Sequence, residues 1–172
     1  MFHKQEWREG NKLSLTKMAE NKSVWEDLWQ RDATLLYNFR FWSLALLRVF
    51  LGGLFAYHGA LRLLIPANLA GSVSYFTQAG IPFANYSVYL FGIIEIAFGL
   101  FLFFGLFTRL SAFVLMLEMI YIFFQVHLKN GFLAGQNGYE FVLLLVFALL
   151  FVLVNGPGHL ALEKMFKSGD SQ

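Results

Sequence analysis

The chain has 172 residues, 58% of them apolar and 14% charged, where a soluble domain carries roughly a quarter charged residues. It reads as an integral membrane protein with room for one domain and no separate catalytic module. A net charge of +2 is too small to argue for nucleic acid. The absence of cysteine excludes a thiol–disulfide relay, an iron–sulfur cluster and a thiolate metal site on this chain.

Residues 1–40 mix basic and acidic side chains without an apolar run, so no cleavable signal peptide is expected at the start, and the segment reads as a cytoplasmic tail. Within it, Ser23 and Glu26 stand in capping-box register. Trp25, Leu28, Trp29, Leu36 and Phe39 then recur at helical spacing, with Asp27, Arg31 and Asp32 among them. This predicts an amphipathic helix over about 23–39 lying in the membrane interface, where tryptophan is favoured. A soluble partner is the alternative occupant of that face. Residues 41–172 form the predicted membrane domain.

The first predicted span, residues 41–65, is long enough to cross a bilayer at ~1.5 Å per residue. It nevertheless carries Arg48, His58 and Arg62, which fall within roughly 80° of one another around a helix, on a stripe shared with Gly52 and Gly59. Ionisable groups facing lipid are costly, and small residues mark close helix contacts, so this stripe is expected to face protein. Residues 66–87 carry no charge. Pro66, Gly71, Gly80 and Pro82 argue against one continuous helix there and for short helical turns against the bilayer surface or the helix ends. A second span is predicted at about 88–107, with Glu95 on the face of Gly92 and Gly99. Thr108-Arg109 is read as a turn. A third span, about 110–126, carries Glu118 on a stripe with Ser111 and Gln125, while His127 falls on the opposite side of that helix, at the boundary. A Gly/Asn-rich loop leads to a fourth span, about 139–155, opened by Glu140 and ended by Gly156-Pro157-Gly158.

The basic residues of the N-terminal segment, Arg109, Lys164 and Lys167 all fall on one side of this arrangement, and Lys129 on the other. The positive-inside rule therefore predicts an all-α four-helix bundle with both termini cytoplasmic. On that topology His58, Arg62, Glu95, Glu118 and Glu140 lie in the outer half, on four different helices, and can converge on one pocket. Arg48 alone belongs to the inner half, where it is expected to snorkel to the boundary or pair across the core. Such a pocket can relay protons or hydrogen-bond a small polar head group whose tail lies in lipid, a description that a non-covalently bound quinone fits. The alternative is that these charges pair among themselves to fix helix register. A metal is not favoured: the paired Glu-x-x-His spacing of di-iron bundles is absent, and Arg62 opposes a divalent cation.

In this order and spacing, several residues resemble the DoxX family of small four-span bacterial membrane proteins. They are Arg48, Tyr57-His58-Gly59 with Arg62, Gly80-Ile81-Pro82, Glu95 with Gly99, Gly105 with Thr108-Arg109, and Glu118-Met119. His127, Asn130-Gly131-Phe132, Asn137-Gly138-Tyr139-Glu140 and Gly156-Pro157-Gly158 complete the set. The likeness runs from about residue 47 to 162 and leaves residues 1–40 outside. Two departures stand out: the family commonly has lysine at the position of Arg62, and often Ser-Leu-Asp where this chain has Ala161-Leu162-Glu163. The resemblance implies a bundle in the bacterial cytoplasmic membrane associated with redox proteins. Members are linked to thiosulfate:quinone oxidoreductase and to complexes handling oxidative or thiol stress.

These readings converge on one expectation and two rivals. The expectation is a membrane subunit of a quinone-linked redox system that depends on a partner protein for electrons. His58 and Arg62 would bind the head group, with Glu95, Glu118 and Glu140 handling protons and polar contacts. Arg48, Arg109, Gln125 and His127 are given structural or secondary roles. The rivals are a membrane anchor for a redox partner and a small-solute carrier. The carrier is weakened by the absence of a midplane site and of repeated halves.

Overall fold

The structure, a computed structural model, describes residues 29, 39, 42–158 and 160–163. The amphipathic helix expected over 23–39 falls, but for two residues, outside them. The chain divides into two units, Met1–Phe41 and Trp42–Gln172, and the second is described here.

Among the described residues every regular element is helical. Helix α1, Trp42–Leu64, ends at Ile65, whose extended backbone (φ −105°, ψ 111°) breaks the helix before α2, Pro66–Gln78. The segment expected to hold only short turns is therefore one helix of 13 residues. Pro66 stands in its first turn, where a missing N–H costs nothing, and Gly71 lies on an exposed face. Gly80 (φ +79°) follows the end of α2. Helix α3, Ala84–Phe104, begins four residues before the expected 88 and ends before the expected 107. The cause is Gly105, whose left-handed backbone (φ 71°) closes a Schellman turn with Leu106 N–H donating to the Phe101 carbonyl at 2.8 Å. Thr108 then starts α4, Thr108–Ile122, which runs on through a π turn, Phe123–His127, and a 3-10 turn, Leu128–Asn130. Helix α5, Glu140–Asn155, ends at Gly156. Three helical stretches, Trp42–Leu64, Ala84–Phe104 and Thr108–Asn130, are long and apolar enough to cross a membrane; α5 is apolar and shorter, at 16 residues.

One core joins Leu51 and Phe55 of α1, Leu102 of α3, Leu115 and Met119 of α4, and Leu145 and Leu149 of α5. A second, smaller cluster seats Phe76 of α2 against Ile81, Val88 and Val126. The outward faces carry large apolar side chains such as Phe50, Ile93, Leu144 and Phe147. Helices α1 and α3 approach backbone to backbone. A Cβ at Gly52 would lie 2.7 Å from the Gly99 carbonyl oxygen, and one at Gly59 would lie 2.7 Å from that of Gly92. The two glycine stripes marked in the sequence thus pack on each other, with a seven-residue spacing on both helices.

The end of the fold near the α3–α4 turn is closed by two ionic side chains acting on backbone. Arg48 is fully buried, and its guanidinium donates to the carbonyls of Leu102 (3.0 Å), Phe103 (3.2 Å) and Leu160 (3.1 Å). Among the described residues it therefore neither snorkels nor forms an ion pair across the core; it neutralises the negative end of α3. Arg109 is exposed, beside Gly156. Glu163 accepts the Thr108 N–H at 3.1 Å and so caps α4, while its own N–H donates to the Gly105 carbonyl. Replacing Glu163 by alanine is expected to cost about 1 kcal/mol, as loss of a helix cap does, and to lower the melting temperature in mild detergent by about 2–4 °C. An unchanged transition would show that this cap contributes nothing.

Candidate functional site

The site begins with the 3–4 spacing of Phe55, His58 and Arg62, which sets all three on one face of α1. That face meets α3 where Gly59 and Gly92 allow the backbones to close, and this brings Glu95 opposite Arg62. The Nη1 of Arg62 lies 3.2 Å from Oε2 of Glu95. The arginine side chain keeps 18% exposure while the glutamate keeps 4%, so the cation remains reachable and the acid does not. Phe76 of α2 places its ring 5.6 Å from the guanidinium carbon, adding a cation–π contact.

Beside this ion pair is a cavity of about 210 Å³ with walls from four helices. Leu54, Phe55, His58 and Arg62 come from α1 and Glu95 from α3. Met119 and Ile122 come from α4, His127 from the π turn after it, and Phe141, Val142 and Leu145 from α5. The lining is mostly apolar, with four convergent polar side chains, the usual composition of a small-molecule site. His58 is exposed and, with Arg62, also lines an outer groove against Asn68, Ser72 and Tyr75 of α2. Glu118 is buried at 5% exposure, close enough to Glu95 and Arg62 to feel both charges, yet it is not among the residues lining the cavity. Neither of its carboxylate oxygens has a hydrogen-bond partner among the described residues.

Three sequence expectations change here. Glu140 is exposed and does not line the cavity; as the first residue of α5 it turns to the preceding loop and accepts the Ala134 N–H at 3.1 Å. Gln125, expected on the Glu118 stripe, is exposed, and His127, expected on the opposite side, lines the cavity. The π turn at Phe123–His127 explains both. It takes up an extra residue, which shifts everything after it by about 100° around the axis. Val126 consequently occupies the buried phase that an unbroken α-helix would give to Gln125. No periodic signal announces such a turn, and the group that holds His127, the backbone carbonyl of Asn137 2.8 Å from Nδ1, leaves no side-chain signature. Among the described residues no group of three or more His, Asp or Glu side chains is placed to hold a metal ion.

Ionisable side chains drawn inward from separate helices, within a framework whose outer faces are apolar, define a polytopic membrane protein with an internal polar site. The chain belongs to the DoxX family, whose family model matches residues 43–128. That stretch holds Arg48, His58, Arg62, Glu95, Glu118 and His127 and stops before α5. An uncharacterized protein of Haemophilus influenzae is 33% identical over 135 residues, covering 76% of this chain and 96% of its own. A Bacillus subtilis protein named "Putative oxidoreductase CatD" is 30% identical over 124 residues, covering 72% of this chain and 87% of its own. An uncharacterized membrane protein of Mycobacterium tuberculosis is 27% identical over 132 residues, covering 71% and 80%. No solved structure matches the chain significantly.

Proposed function

We propose that this protein is the membrane subunit of a quinone-linked redox system and that its internal cavity holds the quinone ring. The observation that carries this reading is the cavity beside the Arg62–Glu95 pair, in which one reachable cation faces walls built from Phe55, Met119, Phe141 and Leu145. At about 210 Å³ it is smaller than the ~300–1,000 Å³ of a site for a drug-sized ligand, so it suits one ring whose tail stays in lipid. Arg62 donates to a ring oxygen, Glu95 holds the guanidinium in place, and His58 stands at the opening. The name of the Bacillus subtilis relative is in keeping with redox chemistry. The chain has no cysteine, so electrons reach the ring from a partner protein rather than through thiols of its own.

In this reading α5 completes a four-helix bundle in the bacterial cytoplasmic membrane. Both termini are cytoplasmic, which places Arg109 inside and Lys129 outside. The cavity is then open toward the outer leaflet.

Protein extracted in mild detergent is expected to carry quinone, detected by mass spectrometry of the organic extract. Val142→Phe, which fills the cavity from α5, is expected to remove most of that quinone while leaving the melting temperature within a few degrees of wild type. Folded wild-type protein that is consistently free of quinone would favour the rival reading of a membrane anchor, in which the Arg62–Glu95 pair serves only to join helices.

A further inference from the structure

The neighbours of His127 set which of its ring nitrogens carries the proton. Its Nδ1 lies 2.8 Å from the backbone carbonyl of Asn137, and a carbonyl oxygen only accepts, so in the neutral ring the proton sits on Nδ1. That carbonyl is itself held. Asn130 Nδ2 donates to it at 3.1 Å, Asn137 has left-handed backbone (φ 61°), and its side-chain amide donates to the Tyr75 hydroxyl at 2.6 Å. The nitrogen left over is Nε2, which then carries a lone pair and accepts. The same ring lines the cavity with Arg62, a side chain that only donates and whose several N–H groups are not exhausted by Glu95. Beside His58, the lining therefore includes a donor, Arg62, and a ring, His127, whose remaining polar atom accepts.

We propose that His127 is a specificity-determining residue that makes the cavity favour a ligand bringing a hydroxyl donor to it, and hence the dihydroxy, reduced form of a quinone over the dione. This inference rests on the quinone reading and deepens it. A dione offers two acceptors: Arg62 satisfies one, and the other meets the lone pair of Nε2, leaving a buried polar contact unmade. Each hydroxyl of a quinol both donates and accepts, so one accepts from Arg62 while the other donates to His127. A single unmade contact of this kind corresponds to about a tenfold difference in affinity.

The experiment titrates the full-length protein in detergent, without oxygen, with a short-chain benzoquinol and with the matching benzoquinone. The quinol is expected to bind about tenfold more tightly, and His127→Phe is expected to bring the two affinities together by weakening the quinol. Nitrogen NMR of histidine-labelled wild-type protein, which needs no variant, is expected to show the neutral His127 ring protonated at Nδ1. Equal affinities for quinol and quinone in the wild type, or a ring protonated at Nε2, would overturn this inference and leave the quinone reading standing. Binding of neither probe would overturn both.

Discussion

Replacing Gly52 by leucine is expected to keep α1 and α3 apart and to abolish the cooperative melting transition in mild detergent. The reason is steric and backbone-borne. A Cβ at Gly52 would collide with the Phe103 nitrogen and come within 2.7 Å of the Gly99 carbonyl oxygen; from the other helix, a Cβ at Gly99 would come within 2.6 Å of the Ala56 nitrogen. None of these atoms belongs to a flexible side chain that could swing away, so the helices themselves must separate. Overpacking of a kind that the backbone cannot absorb costs about 3 kcal/mol or more. Separation also pulls Arg62 from Glu95 and opens the cavity. Gly71 is the internal comparison: nothing lies within 4 Å of a Cβ added there. Gly71→Ala on the exposed face of α2 is expected to be neutral or to stabilise by up to about 1 kcal/mol. Wild-type melting for Gly52→Leu would show that the α1–α3 contact is not close.

The second large effect concerns the ion pair. Arg62→Leu leaves the buried Glu95 without its cation, and Glu95→Leu leaves Arg62 with the ring of Phe76 and the charge of Glu118 nearby but no paired acid. Breaking a largely buried pair from one side costs about 3 kcal/mol, whereas removing both partners together is often close to neutral. The double variant Arg62→Leu/Glu95→Leu is therefore expected to be more stable than either single one, with a coupling of about 2 kcal/mol in denaturant-melting experiments. Strict additivity would mean that the two charges do not sense each other.

How much of the fold and the site is legible in the sequence depends on what kind of signal each feature leaves. Gly52, Gly59, Gly92 and Gly99 repeat at a heptad interval, and a period of that kind marks a face, so both contact stripes can be read from the residues alone. The identity of the partner is not written in a period. That the stripe of α1 meets the stripe of α3, and that Arg62 meets Glu95, follows from packing. Burial of Arg48 and Glu118 follows from the expense of charge in an apolar segment, but the acceptors of Arg48 are backbone carbonyls, which have no side-chain signature. Pro66 and Gly71 hide the α2 helix, because both read as breakers although one sits in a first turn and the other on an open face. Glu163 caps α4 across the fold, a contact between residues 55 apart in the chain. The largest discrepancy is one of phase. Sequence periodicity assumes an unbroken α-helix, and the π turn at Phe123–His127 brings His127 into the cavity and Gln125 out of it.

A photoreactive azidoquinone in bilayers, with its adducts mapped by peptide mass spectrometry, tests the chamber most directly. Labelling is expected on the buried lining residues Phe55, Met119 or Leu145, and an excess of unmodified short-chain quinone is expected to suppress it. Adducts spread over the outward-facing Phe50, Phe147 and Phe151, untouched by competitor, would mean that the ring stays in the lipid and never enters the protein.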